Sequence, residues 1–326
     1  MCQQRICKMR ILIFGAGAVG QAVGCMLASD GHNVDLILRE RYLSALRSQG
    51  LAVTGIFGEY RAAPRDFGTY TNIENVIGIS YDYALITSKS YNTDDSLDEL
   101  EKLECQQFTV VSMQNGCGNL EKVVERFGEK RSLGGRVITG FEIEHPGLVR
   151  ITVTADDIHI GGFSEGVIPD TAVVIAEAIN SAGLPCACTP FIKRDLFAKL
   201  LYNCALNPLV AVLGVHYGAL GDDPETRKIM DSVIGEVFAV INAMGAATHW
   251  KHPQEYRAFF YEKQIPATYN HRSSMLQDIE MGKRTEVEAL TGYVSAHGYR
   301  LNVPTPICDM LSELIRFRER NNPKRK

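Results

Sequence analysis

Arg10-Ile-Leu-Ile-Phe14-Gly15-Ala16-Gly17-Ala18-Val19-Gly20 decides the fold of the first half of the chain. A short apolar strand runs straight into G-x-G-x-x-G, and a helical pattern follows through Met26 and Leu27. Each glycine has its own steric task in such a turn. Gly15 permits the tight bend, Gly17 lets backbone approach a pyrophosphate, and Gly20 lets the helix lie close on the strand. The helix start then offers N–H groups and partial positive charge to phosphate oxygens. A glycine pattern by itself is equally compatible with a bare turn; the strand-turn-helix context favours binding. Gly31-His32 closes the helix and Asn33-Val-Asp-Leu-Ile-Leu38 supplies a second strand, completing a compact βαβ unit. Gly15, Ala16, Gly17, Ala18, Val19 and Gly20 are therefore the expected dinucleotide cradle.

Working outward, the end of the second strand reaches the adenosine ribose in such folds and carries an acidic residue when the 2′-hydroxyl of NAD is bound. Here it carries Arg39, whose guanidinium suits the 2′-phosphate of NADP, although an ordinary surface arginine would look the same. Asp35 lies four residues earlier and is expected to face a loop or cap a neighbour. Further strands, Tyr83-Ala-Leu-Ile-Thr-Ser88 and Phe108-Thr-Val-Val-Ser-Met113, lead into Lys89 and Gln114-Asn115-Gly116. Ligands sit beyond the carboxyl ends of strands in open parallel sheets, which places Lys89 and Asn115 near cofactor and substrate. Asn-Gly is also a common turn dipeptide, so Asn115 taken alone stays ambiguous. The stretch Leu133 to Gly162, with its His145-Pro146-Gly147 turn, reads as strands finishing the sheet, and helical periodicity returns at Val173 to Ala182.

At 326 residues the chain should hold two domains, and a boundary near residue 190 divides an α/β, Rossmann-type part (1–190) from a helical part (191–326). Hydrophobic residues at 45% and charged ones at 22% fit an ordinary globular protein. A net charge of -4 supplies no basic field for nucleic acid, and the Lys-Arg-Lys run at residues 324–326 reads as a solvated tail. No apolar run of membrane-spanning length stands out, and Met1 to Met9 lacks the apolar core of a signal peptide, so the expectation is a cytoplasmic protein. Nine cysteines without redox or zinc spacing, Cys186-Ala-Cys188 included, read as reduced core thiols. His249 and His252 find no further ligand in sequence, and no metal is expected. The oligomeric state, a homodimer among the options, stays open.

From Leu196 to Leu213 almost every face is apolar, which predicts a buried helix. Its strongly polar residues, Lys199, Asn203 and Asn207, are spaced four apart and form one stripe. An exposed face would carry several charges rather than one lysine and two short amides. Such a stripe most economically faces a polar ligand. Pro208 should kink the helix. Ser273-Ser274-Met-Leu-Gln-Asp278 reads on its own as a surface helix with a serine cap, and a break near Gly282 is needed to bring Glu286 to the same place as Ser274. Tyr256, Phe259, Phe260 and Tyr261 read as helix packing rather than a lid. Residues 218–268 are otherwise mute.

Taken together, Gly15-Ala-Gly-Ala-Val-Gly20, Lys89, Gln114-Asn115-Gly116, Lys199-Leu-Leu-Tyr-Asn203-Cys-Ala-Leu-Asn207-Pro208, Ser273-Ser-Met-Leu-Gln-Asp278 with Arg284-Thr-Glu286, and Asn302-Val-Pro-Thr-Pro306 resemble the ketopantoate reductases over nearly the whole chain. The resemblance implies a Rossmann-type N-terminal domain, an all-helical C-terminal domain, and NADPH-dependent reduction of 2-dehydropantoate to pantoate on the way to pantothenate and coenzyme A. By position it implies that Lys199 is the catalytic lysine and Glu286 the acidic substrate anchor. It also implies that Asn115, Asn203, Asn207 and Ser274 contact substrate and that Arg39 and Lys89 meet the 2′-phosphate side of NADPH. A lysine ammonium can protonate the oxygen of a ketone as hydride arrives, and apolar neighbours would lower its pKa toward working pH. Two rival readings are a reductase of the same fold for another 2-oxo acid and a non-catalytic NADPH sensor. The sensor should have lost the lysine or the glutamate, and both are present.

Overall fold

The computed structural model describes residues 8–103 and 107–325. The chain divides into two compact units, one built from residues up to Asn115 with Asn119–Ile192, the other from Gly116–Gly118 with the residues from Lys193 onward.

The first unit opens with β1 (Arg10–Phe14), α1 (Ala18–Ser29) and β2 (Asn33–Ile37), as the glycine-rich stretch predicts. After α2 (Glu40–Gln49) come three short strands not singled out above: β3 (Leu51–Gly55), β4 (Tyr60–Ala62) and β5 (Phe67–Tyr70). Then follow β6 (Tyr83–Ile86), α3 (Thr93–Glu101), β7 (Thr109–Ser112), α4 (Asn119–Phe127) and β8 (Ser132–Arg136). β9 (Thr139–His145), β10 (Leu148–Thr154), β11 (Ile158–Gly162), α5 (Asp170–Ser181) and β12 (Cys186–Cys188) complete the unit.

Eight strands form the central sheet in the order β12-β11-β8-β7-β6-β1-β2-β5. From β5 through β8 every pairing is parallel, and β11 runs antiparallel to β8. Side chains of β1 alternate between two cores, as the strand period requires. Ile11 and Ile13 join Val23, Met26 and Leu27 of α1 and Ile175 and Ile179 of α5. Leu12 joins Leu97 and Leu100 of α3 and Val123 and Phe127 of α4. Helices therefore cover both faces, which is why the central strands read as unbroken apolar runs.

One expectation needs correction here. The stretch Leu133 to Gly162 does not simply finish the sheet. β8 and β11 extend it, but β9 and β10 leave it and join β3 and β4 in a second sheet of order β4-β3-β10-β9. Their His145-Pro146-Gly147 turn is pinned elsewhere: Gly147 donates its N–H to the buried Gln21 side chain at 3.1 Å and accepts from Ala52 N at 2.7 Å. Asp35 meets a loop residue, Tyr81, as expected, but does so from inside the sheet. It is buried within β2, where its carboxylate accepts from Arg10 Nε at 3.2 Å and from the Tyr81 hydroxyl at 3.0 Å. Burial, reinforced by this carboxylate, raises the Tyr81 pKa and keeps the hydroxyl a donor.

The second unit is helical: α6 (Ile192–Leu213), α7 (Tyr217–Asp222), α8 (Pro224–Ala243), α9 (Pro253–Phe259), α10 (Ile265–Ala267), α11 (Ser274–Glu280), α12 (Thr291–Leu301) and α13 (Pro306–Arg320). Asp223 starts α8, accepting from Glu225 N and Thr226 N ahead of a first-turn proline. α6 has the length and apolarity of a membrane span, unlike the expectation above, but 72% of its apolar window is buried inside the protein. Pro208 sits within the helix without ending it. Tyr256 and Phe260 are fully buried, and the Tyr256 ring meets Trp250 at 4.7 Å, so these two are core packing, as expected, whereas Phe259 is exposed and Tyr261 half-buried. A π-helical turn at Phe260–Gln264 joins α9 to α10. Among the described residues, Cys25, Cys117, Cys186, Cys204 and Cys308 are buried and Cys188 is half-buried, all outside any disulfide. Cys2, Cys7 and Cys105 lie outside the described residues.

The glycines of the first turn make a stability prediction. A Cβ on Gly20 would stand 2.5 Å from both Gly15 O and Thr87 Oγ1, whereas one on Gly17 would meet nothing within 4 Å. Gly20→Ala should cost about 1–3 kcal/mol as overpacking and lower the thermal midpoint by several degrees. Gly17→Ala should leave it unchanged, and thermal unfolding followed by circular dichroism compares the two.

Candidate functional site

In the first unit the expected cofactor residues sit at the carboxyl ends of neighbouring strands. Gly15, with φ +105, turns the chain out of β1, and its N–H and that of Ala16 bond to Ile37 O at 3.1 and 3.2 Å. Gly17 caps α1 with no side-chain bond, and no acidic residue occupies the first turn. The first-turn N–H groups of Ala18, Val19 and Gly20 thus have neither a helical partner nor a side-chain cap. With the open space at Gly17, this arrangement fits a pyrophosphate. Arg39 is exposed at the N-cap of α2, one residue beyond the buried Leu38 that follows β2. Lys89 is half-buried in the turn after β6, and Asn115 half-buried after β7.

A network overlooked in the sequence holds these two ends together. Gln114, buried after β7, donates from Nε2 to Ser88 O at 3.1 Å and to Lys89 O at 3.4 Å. Its Oε1 accepts from Ser112 Oγ at 3.1 Å and lies 3.2 Å from Thr93 Oγ1. Thr93 also bonds to Asn119 Oδ1 at 2.9 Å, and Asn119 Nδ2 returns to Asn115 O at 3.0 Å. Lys89 and Asn115 are therefore set on loops whose backbones are fixed by buried amides. The available signal was Gln114 itself, a polar residue directly continuing an apolar strand.

In the second unit Lys199, Asn203 and Asn207 lie on α6, with Lys199 half-buried and the two amides buried at 6% and 3% exposure. Asn207 Oδ1 accepts from the Tyr217 hydroxyl at 2.6 Å. Burial holds the Tyr217 pKa well above its ordinary value, so the phenol stays protonated and donates. The amide of Asn207 is thereby oriented, leaving its NH2 to donate elsewhere.

The stripe also extends one turn earlier than the sequence reading took it. Asp195, buried, occupies the position four residues before Lys199 and bonds to His249 Nε2 at 2.6 Å. His249, considered above only as a metal ligand, is the partner of this carboxylate. No group of three or more metal-ligating side chains occurs among the described residues.

Ser273, not Ser274, caps α11, its buried hydroxyl accepting from Leu276 N at 3.1 Å. Ser274 is the exposed first residue of the helix. α11 stops at Glu280, and Gly282, with φ +70, provides the expected break. Glu286 follows, 8% exposed, at the start of a single 3-10 turn, Val287–Ala289.

Comparison with known proteins places this pairing of units. The family model described as "Ketopantoate reductase PanE/ApbA" matches residues 11–165, and "Ketopantoate reductase PanE/ApbA C terminal" matches residues 192–319. The 2-dehydropantoate 2-reductase of Aquifex aeolicus (strain VF5) is 35% identical over 316 residues, covering 97% of this chain and 99% of that protein. Among solved structures, the PanE/ApbA family ketopantoate reductase from Ralstonia eutropha JMP134 gives a TM-score of 0.84 at 27% identity, covering 96% of this chain and 99% of that one. D-mandelate dehydrogenase, solved with NADH and anilino(oxo)acetate, gives 0.84 at 23% identity over 96% and 99%, a likeness of fold. With both family models matched in order and full-length relatives on either side of the comparison, the chain belongs to the ketopantoate reductase family of oxidoreductases.

Proposed function

We propose that this chain reduces the C2 ketone of 2-dehydropantoate to the alcohol of pantoate with NADPH, a cytoplasmic step of pantothenate and coenzyme A biosynthesis. Support comes foremost from one observation. A lysine and two buried amides stand at four-residue intervals on α6, a helix otherwise sunk in an apolar core, within a chain 35% identical to a 2-dehydropantoate 2-reductase. We assign residues 1–190 to cofactor binding and 191–326 to substrate and catalysis. When bound, the nicotinamide supplies the hydride that the ketone carbon accepts.

The chain's own residues do the rest. Lys199 donates a proton to the ketone oxygen as negative charge gathers there, and recovers one from solvent afterwards. General acid catalysis of this kind is worth about 10²–10⁴-fold in rate. Asn115, Asn203, Asn207 and Ser274 orient the anionic oxo acid through amide and hydroxyl groups, which add no further negative charge. Glu286 accepts a hydrogen bond from a substrate hydroxyl. Gly15, Ala16, Gly17, Ala18, Val19 and Gly20 hold the pyrophosphate, with Asn115 beside the cofactor, while Arg39 and Lys89 receive the 2′-phosphate. The exposed position of Arg39 beyond β2 supports this choice of NADPH over NADH.

A second reading, reduction of another 2-oxo acid, draws support from the D-mandelate dehydrogenase likeness, since that protein was solved with an oxo-acid ligand. NADPH oxidation by the purified protein, with ketopantoate set against a panel of 2-oxo acids, separates the two. Highest kcat/KM with another acid would displace the first reading.

Three variants test the assignments. Lys199→Ala should lower kcat at least about a hundredfold, the low end of the general-acid range, while NADPH titration still shows binding; near-normal turnover refutes the proton-donor role. Arg39→Ala should raise KM for NADPH far more than for NADH, and an equal rise for both refutes phosphate recognition. Tyr217→Phe removes the bond that orients Asn207 and should raise KM for the oxo acid about three- to tenfold, the worth of one hydrogen bond, with KM for NADPH unchanged.

A further inference from the structure

No helix or strand covers Met281 to Glu286, the segment that carries Glu286 into place. A side chain on irregular backbone is only as well placed as the ties that hold that backbone. Here the ties converge on one stretch of chain. Thr285, 1% exposed, donates both its N–H and its hydroxyl to a single oxygen, Glu319 Oε1, at 2.7 and 2.5 Å. The same hydroxyl accepts from Val287 N at 3.3 Å, so the residues on either side of Glu286 are fixed through one group.

The residues beyond Glu319 continue the grip. Asn322 Nδ2 donates to Ile279 O, and Lys324 Nζ donates to Glu280 O at 3.0 Å. Both carbonyls lie in the last turn of α11, where helical partners run out and the dipole favours a cation. Gly282 packs directly on the backbone beyond α13; a Cβ there would stand 2.4 Å from Lys324 O and 2.9 Å from Arg325 N. On the far side of Glu286, Arg316 forms a two-pronged pair with Glu288 at 2.7 and 2.8 Å. Lys324 is exposed, as a solvated tail implies, yet its ammonium is tied to the C-terminal carbonyl of α11 at Glu280; Lys326 lies outside the described residues.

We propose that the end of α13 and residues 321–325 form a clasp that holds the Glu286 segment in its substrate-binding position, with Glu319 as the positioning residue. The proposal rests on Glu286 being the substrate anchor. It acts through geometry alone: Glu319 fixes Thr285, Thr285 fixes the backbone on both sides of Glu286, and the carboxylate of Glu286 is presented ready-made. Both bonds from Thr285 fall on one oxygen, so a side chain of equal length with one acceptor oxygen can replace the carboxylate.

Steady-state kinetics with ketopantoate test it. Glu319→Ala and deletion from Asn322 onward should each raise KM for ketopantoate about tenfold, the low end for a charge-assisted hydrogen bond. KM for NADPH should not move, and kcat should change less than KM. Glu319→Gln should stay within about twofold of the native KM, because its amide oxygen accepts both bonds. In a Glu286→Ala background, Glu319→Ala should add almost nothing, since the two act as one unit. Ser312→Ala breaks a different bond of α13, 2.8 Å to Thr291, and serves as the stability control with native KM expected. Should Glu319→Ala fail to fold, Thr285→Val, which loses the hydroxyl alone, takes its place with the same expected direction. Native KM in Glu319→Ala, full additivity with Glu286→Ala, or an equal KM rise in Ser312→Ala each overturns the clasp while leaving Glu286 as anchor. Native KM in Glu286→Ala overturns the anchor and the clasp together.

Discussion

The start of α1 lies so close to the ends of β1 and β6 that no side chain fits between them, and the first unit is arranged around that contact. An ideal Cβ on Gly15 would fall 2.5 Å from Ser88 N, and one on Gly20 would fall 2.5 Å from Gly15 O. Thr87 Oγ1 bonds to Gly15 O at 2.6 Å across the same gap. The closeness draws the loop carrying Lys89 alongside the helix start, and Gln114 then ties that loop to the one carrying Asn115. Further along the helix, Gly24 keeps α1 against the sheet, with Ile13 and Leu36 methyl groups 3.1 Å from its ideal Cβ. One glycine in the turn and two on the helix thus convert backbone proximity into a cradle, and the two on the helix cost some helix propensity in doing so.

The second unit solves the opposite problem, that of keeping polar groups inside an apolar helix. A buried amide without a partner is costly, and a buried carboxylate more so. α6 answers with partners drawn from other helices and loops: Tyr217 for Asn207, His249 for Asp195. These partners do more than satisfy hydrogen bonds. They decide which end of each group is left for other work, and a rigid helix carries that decision along its length at four-residue steps.

Much of this was legible in the sequence where a local pattern and its physical cause coincide. The β1-α1-β2 unit, the buried character of α6, the stripe on it and the break at Gly282 all come from spacing within one element. Failures came where distant residues decide. The particular partners of Asp35, Arg10 and Tyr81, could not be read because both are far along the chain. β4 and β5, three and four residues long, are too short to show a period, and the second sheet that β4 joins depends on β3 pairing with the distant β10. Asp195 was overlooked because it precedes the apolar run that drew attention to α6. The tie of Lys324 to Glu280 O was invisible to charge composition, which is blind to carbonyls at the end of α11.

One small feature bears on how the chain is made. Gly116–Gly118 belongs to the second unit although the sequence on both sides of it belongs to the first. Cys117 N donates to Ala289 O at 2.9 Å, and the thiol is buried among Leu200, Leu201 and Leu290 in that unit's core. Domains tend to fold N-terminal first as the ribosome extends them, at about 5–20 residues per second. The first unit can then close while this triplet still waits, its destination not yet synthesised. A scission after Ile192 would likewise leave the helical half with an unfilled place in its core, so the two units are not separable as polypeptides.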